Sequence, residues 1–84
     1  MTRDDARSLF AAALHRIAPD LDIDELDPDA PFQDEADVDS LDFLNLVTCI
    51  YEQAGIAIPE SDYAKLSTLT DILTYLEAAP AASR

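Results

Sequence analysis

The chain has one cysteine, Cys49, and therefore no partner for an intrachain disulfide. A disulfide-framework fold is excluded. It has one glycine, Gly55, too few for the tight turns that many short strands need, so extensive β-structure is excluded as well. The single histidine, His15, has no second His and no nearby Cys to form a metal site, and it reads as a surface residue near a helix end. No apolar run approaches the ~20 residues of a membrane span, and the N-terminal stretch has no apolar signal core. The expectation is a soluble, cytoplasmic protein. Positive charge is also scarce: 5 Lys and Arg stand against 18 Asp and Glu, a formal net charge of -13. Such a surface repels nucleic acid and anionic lipid. It suits proteins with basic docking patches, because complementary fields steer encounter. Eleven of the 18 acids lie between Asp20 and Asp42, a clustering that solubility alone does not ask for.

What is present reads as helix. The 84 residues, about half of them apolar, are expected to form one domain, residues 1–84, with one core cluster. Ala6, Leu9, Phe10, Ala13, Leu14 and Ile17 recur at helical spacing behind Thr2-Arg3-Asp4-Asp5, a capping-box variant, and Pro19 follows. A first helix is predicted over about 3–17. Residues 18–38 are expected to be a long acidic loop, with Leu21, Ile23, Leu26 and Phe32 folding down onto the bundle. The Asp20-x-Asp22-x-Asp24 run fails as a calcium loop: its sixth position is Glu25 instead of Gly, and its twelfth is Pro31 instead of Glu. A second helix is predicted over about 39–54, with Asp39 as N-cap and Gly55 in the left-handed position after its end. Phe43, Leu44, Leu46, Val47, Ile50 and Ala54 form its apolar stripe, while Asp42, Asn45, Thr48 and Glu52 face out. Cys49 is a small core side chain. Ile56 to Pro59 is an extended connector, and Glu60 to Lys65 a short helix. Ser67 or Thr68 caps a last helix over about 68–79, which buries Leu69, Ile72, Leu73 and Leu76. Pro80 closes it, and the tail after it is expected to fray. The fold class is all-α: a small four-helix bundle with three longer helices, one short one, and a long loop between the first two.

Asp39-Ser40-Leu41-Asp42 sits where the acidic loop meets the most apolar helix. A serine nucleophile needs a base within hydrogen-bond reach and donors for the oxyanion. The only histidine belongs to the first helix, and no G-x-S-x-G elbow is present. A chain of this size also leaves little room for a dry cleft that would raise a carboxylate pKa. Enzyme activity is not expected. Two readings of Ser40 stay open on the residues alone. It is either a covalent attachment point, its hydroxyl outward at a helix N-terminus that tolerates a phosphate ester, or a simple cap residue.

A wider pattern separates them. Asp37-Val38-Asp39-Ser40-Leu41-Asp42 resembles the phosphopantetheine attachment motif of acyl carrier proteins. Phe32 resembles the family's upstream loop anchor. Gly55-Ile56-x-Ile58-Pro59 resembles its second-helix exit, and Lys65-Leu66-Ser67-Thr68-Leu69 the start of its last helix. The match runs without gaps from about Phe32 to Leu76. The resemblance implies a freestanding, monomeric carrier of acyl groups, held as thioesters on 4′-phosphopantetheine. A phosphopantetheinyl transferase, using coenzyme A and Mg²⁺, would place that arm on Ser40, with Asp39 and Leu41 beside it. Partner enzymes, such as ketosynthases, acyltransferases or acyl-activating ligases, would dock through Asp37, Asp42, Asn45, Thr48, Tyr51 and Glu52. An acyl cavity would be lined by Phe32, Leu46, Val47, Ile50, Ile58, Tyr63 and Leu69.

Departures from the family pattern bear on subtype. Asp37 stands where the family often has Gly. Asn45, Thr48 and Tyr51 replace the acids and Met common on the docking face of fatty-acid carriers. Tyr63 stands where a small Ala is usual, so a phenol fills the cavity or reshapes its mouth. These point to a specialised carrier in a secondary-metabolite, modified-lipid or aminoacyl pathway, in place of the housekeeping fatty-acid one. The alternatives are an aminoacyl or peptidyl carrier, against which Asp39 leans, and an unmodified acidic adaptor.

Overall fold

A computed structural model of the chain describes residues 1–79. The three longer helices start where a polar side chain satisfies free backbone N–H groups. Thr2 Oγ1 accepts from the Asp5 N–H at 3.1 Å, and helix α1 runs Arg3–Ile17. Ala18, just before Pro19, leaves the helical region at φ -142°, as the proline ring requires of its predecessor.

The segment expected to be a bare loop carries structure. A 3₁₀ turn covers Ile23–Glu25, and a helix, α2, covers Phe32–Ala36. The acids shape this stretch through their side chains. Asp22 accepts from the Asp24 N–H and Asp27 from the Asp29 N–H, both at 2.9 Å. These are Asx-type turns, in which a short carboxylate substitutes for backbone pairing. Glu35 reaches back to the Asp27 N–H at 2.8 Å. Ile23, Leu26 and Phe32 are buried and Leu21 is half-buried, so apolar burial pins the segment down between its polar turns. It is also tied to the far end of the chain: the Phe32 N–H donates to the Ser67 carbonyl at 2.7 Å, and Thr70 N–H to the Pro28 carbonyl at 3.1 Å.

Helix α3 spans Ser40–Ala54 and ends at Gly55, which takes φ 70°, ψ 14°, a conformation glycine adopts without a Cβ penalty. Ile56 and Ile58 of the extended connector are buried while Ala57 between them is exposed. A 3₁₀ helix covers Glu60–Lys65, and α4 covers Leu69–Ala78. Of the two candidate caps, Thr68 is the one used. Its hydroxyl accepts from the Asp71 N–H at 3.0 Å, and Asp71 returns the bond to the Thr68 N–H at 3.3 Å, closing a capping box. Pro80 and the tail lie outside the described residues.

The helices share one core. α1 packs on both α3 and α4. Phe10, Leu14, Phe32, Leu46, Ile50, Leu69, Ile72 and Leu76 are its most deeply buried large side chains. Phe10 and Phe32 meet edge to face with centroids 5.2 Å apart, so α2 is stitched to α1. Among the described residues every buried side-chain nitrogen or oxygen has a partner, so the core carries no orphaned polar atom.

Candidate functional site

The turn between α2 and α3 sets the site. α2 ends at Asp37, which adopts the left-handed conformation at φ 54°, ψ 46°. This places an L-residue with a Cβ in a region that costs roughly 1–2 kcal/mol, less for Asp and Asn, whose short side chains tolerate it. A glycine would meet this backbone demand without the Cβ penalty. Val38 is buried and anchors the turn from beneath. The chain then enters α3 through Asp39, whose Oδ1 accepts from the Asp42 N–H at 2.8 Å. Asp39 is therefore the N-cap, and Ser40 is the first helical residue. The capping role is filled, so the exposed Ser40 side chain is not needed for it.

Ser40 opens onto a groove of about 690 Å³, within the usual range of small-molecule sites, ~300–1,000 Å³. Its apolar lining comes from Pro31, Phe43, Tyr63, Ala64 and Leu66. Its polar lining, besides Ser40, comes from Gln33, Asp34, Glu60 and Ser67. Behind it, among the core side chains, lies an apolar cavity of only about 10 Å³. Leu46, Val47, Ile50 and Ile58, four of the residues expected around an acyl cavity, line this space, together with Phe10, Phe43, Leu66 and Ile72. Phe32 and Leu69 do not line it; both are spent on helix packing in the core. Tyr63 does not line it either. It faces the outer groove and packs edge to face on Phe43, centroids 5.6 Å apart. Phe10, Phe43, Leu66 and Ile72 were not expected there, because core aromatics and aliphatics carry no mark of a cavity in the sequence.

The segment that bears Tyr63 is held from the other side. The Tyr75 hydroxyl of α4 donates to an Asp62 carboxylate oxygen at 2.6 Å. Lys65 pairs with the same carboxylate at 3.2 Å. Donation to Asp62 pushes the Tyr75 pKa up to about 12, with burial and the carboxylate charge adding to the effect. Asp62 is lowered from its ordinary value, first by the Tyr75 bond and then by Lys65.

The outer face of α3 differs from its expected pattern at two places. Leu44, assigned to the buried stripe, is 47% exposed, beside Leu41 at 66% and Tyr51 at 57%. Asp42, expected to face out, is half-buried. Leu41, Leu44, Thr48 and Tyr51 follow one another at spacings of 3, 4 and 3 residues, one side of a helix. The Thr48 hydroxyl donates to the Leu44 carbonyl at 3.0 Å, which satisfies it within the helix. The result is a ridge of exposed apolar side chains starting next to Ser40, flanked by exposed Asp37, Asn45 and Glu52.

The residues fit a phosphopantetheine arm on two counts of geometry. Ser40 is exposed and free of capping duty, and it borders a groove of about 690 Å³. The setting would suit a loosely held phosphate poorly, because Asp34 lines the groove and Asp37, Asp39 and Asp42 surround the serine. A covalent ester needs no binding affinity, and the N-terminal end of the 15-residue α3 favours the negative charge.

The chain is similar to known proteins over most of its length. The family described as "Phosphopantetheine attachment site" matches residues 5–76. An acyl carrier protein of Streptomyces coelicolor is 37% identical over 79 residues, 94% of this chain and 82% of that protein. One of Helicobacter hepaticus is 31% identical over 75 residues, 89% of this chain and 96% of its own. One of Bdellovibrio bacteriovorus is 38% identical over 72 residues, 77% of this chain and 92% of its own.

Proposed function

Because the chain belongs to the acyl carrier protein family, whose prosthetic group is 4′-phosphopantetheine, we propose that Ser40 is the residue that bears this arm. As a family member the chain is a carrier and not an enzyme, and it works by meeting biosynthetic enzymes. The arm supplies a thiol that holds acyl groups as thioesters. The observation that carries the assignment is the exposed Ser40 hydroxyl, relieved of capping by Asp39 and opening on the groove.

The work of each residue follows from its position. Ser40 Oγ supplies the nucleophile when a phosphopantetheinyl transferase presents coenzyme A. A bond forms from Oγ to phosphorus and the pyrophosphate linkage breaks. Adenosine 3′,5′-bisphosphate leaves, and the serine proton passes to a base on the transferase. Asp39 holds the helix start, and so Ser40, in a fixed orientation. Leu41, Leu44, Thr48 and Tyr51 form the apolar contact for docking partners, and Asp37, Asp42 and Glu52 supply charge for basic rims. Apolar anchors ringed by charge are the usual anatomy of a docking patch. This ridge has fewer acids and more apolar area than a charge-dominated one. That supports a specialised biosynthetic pathway with its own ketosynthase, acyltransferase or acyl-activating ligase, over housekeeping fatty-acid synthesis. Residues 1–84 act in this reading as one monomeric carrier domain in the cytoplasm. No described helix is long and apolar enough to cross a membrane.

The test is intact mass after incubation with coenzyme A, Mg²⁺ and a broad-specificity transferase. The wild-type protein gains one phosphopantetheine, and Ser40→Ala gains none. An unchanged wild-type mass with several transferases would sink the assignment.

A further inference from the structure

Two cavities meet at one wall, and only one of them has room. The groove beside Ser40 holds about 690 Å³, while the apolar space behind it holds about 10 Å³, roughly the room of a single water. Phe43 and Leu66 line both, so they are the partition between the two. Tyr63 braces that partition from the groove side by its edge contact with Phe43 at 5.6 Å. The brace is itself fixed, because its neighbour Asp62 is bonded to Tyr75 of α4 at 2.6 Å.

We propose that Tyr63 is a specificity determinant that keeps the cargo in the outer groove, so that this carrier takes short acyl groups, neutral or cationic, in place of long aliphatic chains. The proposal rests on the reading of Ser40 as the anchor of the arm. A chain entering the core has to displace Phe43, only 5% exposed, and break its contact with Tyr63. Well-packed interiors resist such insertion, because added methylenes force side chains off their rotamers. The groove offers an easier place. Its charged lining is Asp34 and Glu60, both acidic, so it opposes an acyl group that ends in a carboxylate and accepts one that ends in an amine or a hydroxyl.

The experiment loads the wild-type protein, Tyr63→Phe and Tyr63→Ala with butyryl, octanoyl and dodecanoyl arms from the matching acyl-coenzyme A. Methyl resonances of Leu46, Val47 and Ile50, and melting temperature, are then followed. In the wild type and Tyr63→Phe, both stay constant along the series. In Tyr63→Ala, the methyl resonances shift and the melting temperature climbs with chain length. Core methyls that shift with chain length in the wild type would overturn the proposal, even if Tyr63→Ala does not fold. An inert Tyr63→Ala series would overturn it too. For the charge preference, butyryl and β-alanyl arms move the backbone amides of Gln33 and Ser67, and a malonyl arm leaves them in place. Equal movement by malonyl would overturn that part. Failure of the wild type to accept any arm would instead remove the Ser40 assignment, and this inference with it.

Discussion

Tyr75 and Asp62 form one bond whose two ends titrate at opposite extremes of pH. Tyr75 is raised to about 12 from an ordinary 10.0, so its contribution is complete below pH 10 and fades as the pH rises from there to about 12. Asp62 is lowered from 3.8, so its contribution is present above that pH and is lost as the pH falls beneath it. Tyr75→Phe is therefore less stable than the wild type between these limits, and the gap closes at both ends. Urea denaturation across pH measures it; a gap that stays constant with pH would show that the hydroxyl is not its source. This bond was not legible in the sequence, because it joins residues 13 apart through the packing of two elements. Gly55 was legible, since a lone glycine after an apolar stripe marks a left-handed helix end. Asp37 has the same kind of backbone with φ 54° and was not read as such, because aspartate is as much at home in ordinary turns. The division of labour between Asp39 and Ser40 lay in between. The residue types allowed either as the cap, and the 2.8 Å bond to the Asp42 N–H decides it.

Helix α3 has two apolar faces, and this explains the one misread leucine. Leu46, Val47 and Ile50 turn inward, whereas Leu41, Leu44 and Tyr51 turn outward. Periodicity sees hydrophobic residues on both sides and merges them into one wide stripe. If the outer face is the docking contact proposed above, substitutions on the two faces separate. Leu46→Ala opens a cavity at a site 1% exposed and costs about 2–5 kcal/mol of stability. Leu44→Ala changes stability by no more than about 0.5 kcal/mol, as exposed positions do, yet slows modification by the transferase and turnover by partner enzymes. A Leu44→Ala protein that is modified at the wild-type rate would remove the outer ridge from the docking surface. Helix α2 was hidden for another reason. Five residues are too few for a 3.6-residue period to declare itself. Its formation depends on burial of Phe32 against Phe10 and on the Ser67 carbonyl, neither of which is local.

Charge on the scale of the whole molecule sets two opposed responses to salt. The described ion pairs join Arg3 to Glu77, Arg7 to Asp24 and Lys65 to Asp62, and such surface pairs contribute about 0–1 kcal/mol each. They use three of the five cations against 18 acids, so most carboxylates face others of like sign. All of them sit within a body of 33 × 25 × 21 Å. The screening length is about 30 Å at 0.01 M salt and about 10 Å at 0.1 M, so repulsion acts across the entire domain at the lower concentration and only between neighbours at the higher. Self-repulsion therefore outweighs the few pairs, and the melting temperature rises between these concentrations. Each 1 kcal/mol recovered appears as about 4–8 °C in a domain of this size. Binding to a basic partner responds the other way, because the same screening weakens attraction between the clustered acids and the partner's lysines and arginines. Thermal melts and transferase affinity across one salt series test both signs together. A melting temperature that falls with salt would mean that the pairs dominate stability. An affinity that does not fall would mean that the apolar ridge from Leu41 to Tyr51 directs docking and that the acidity serves another end.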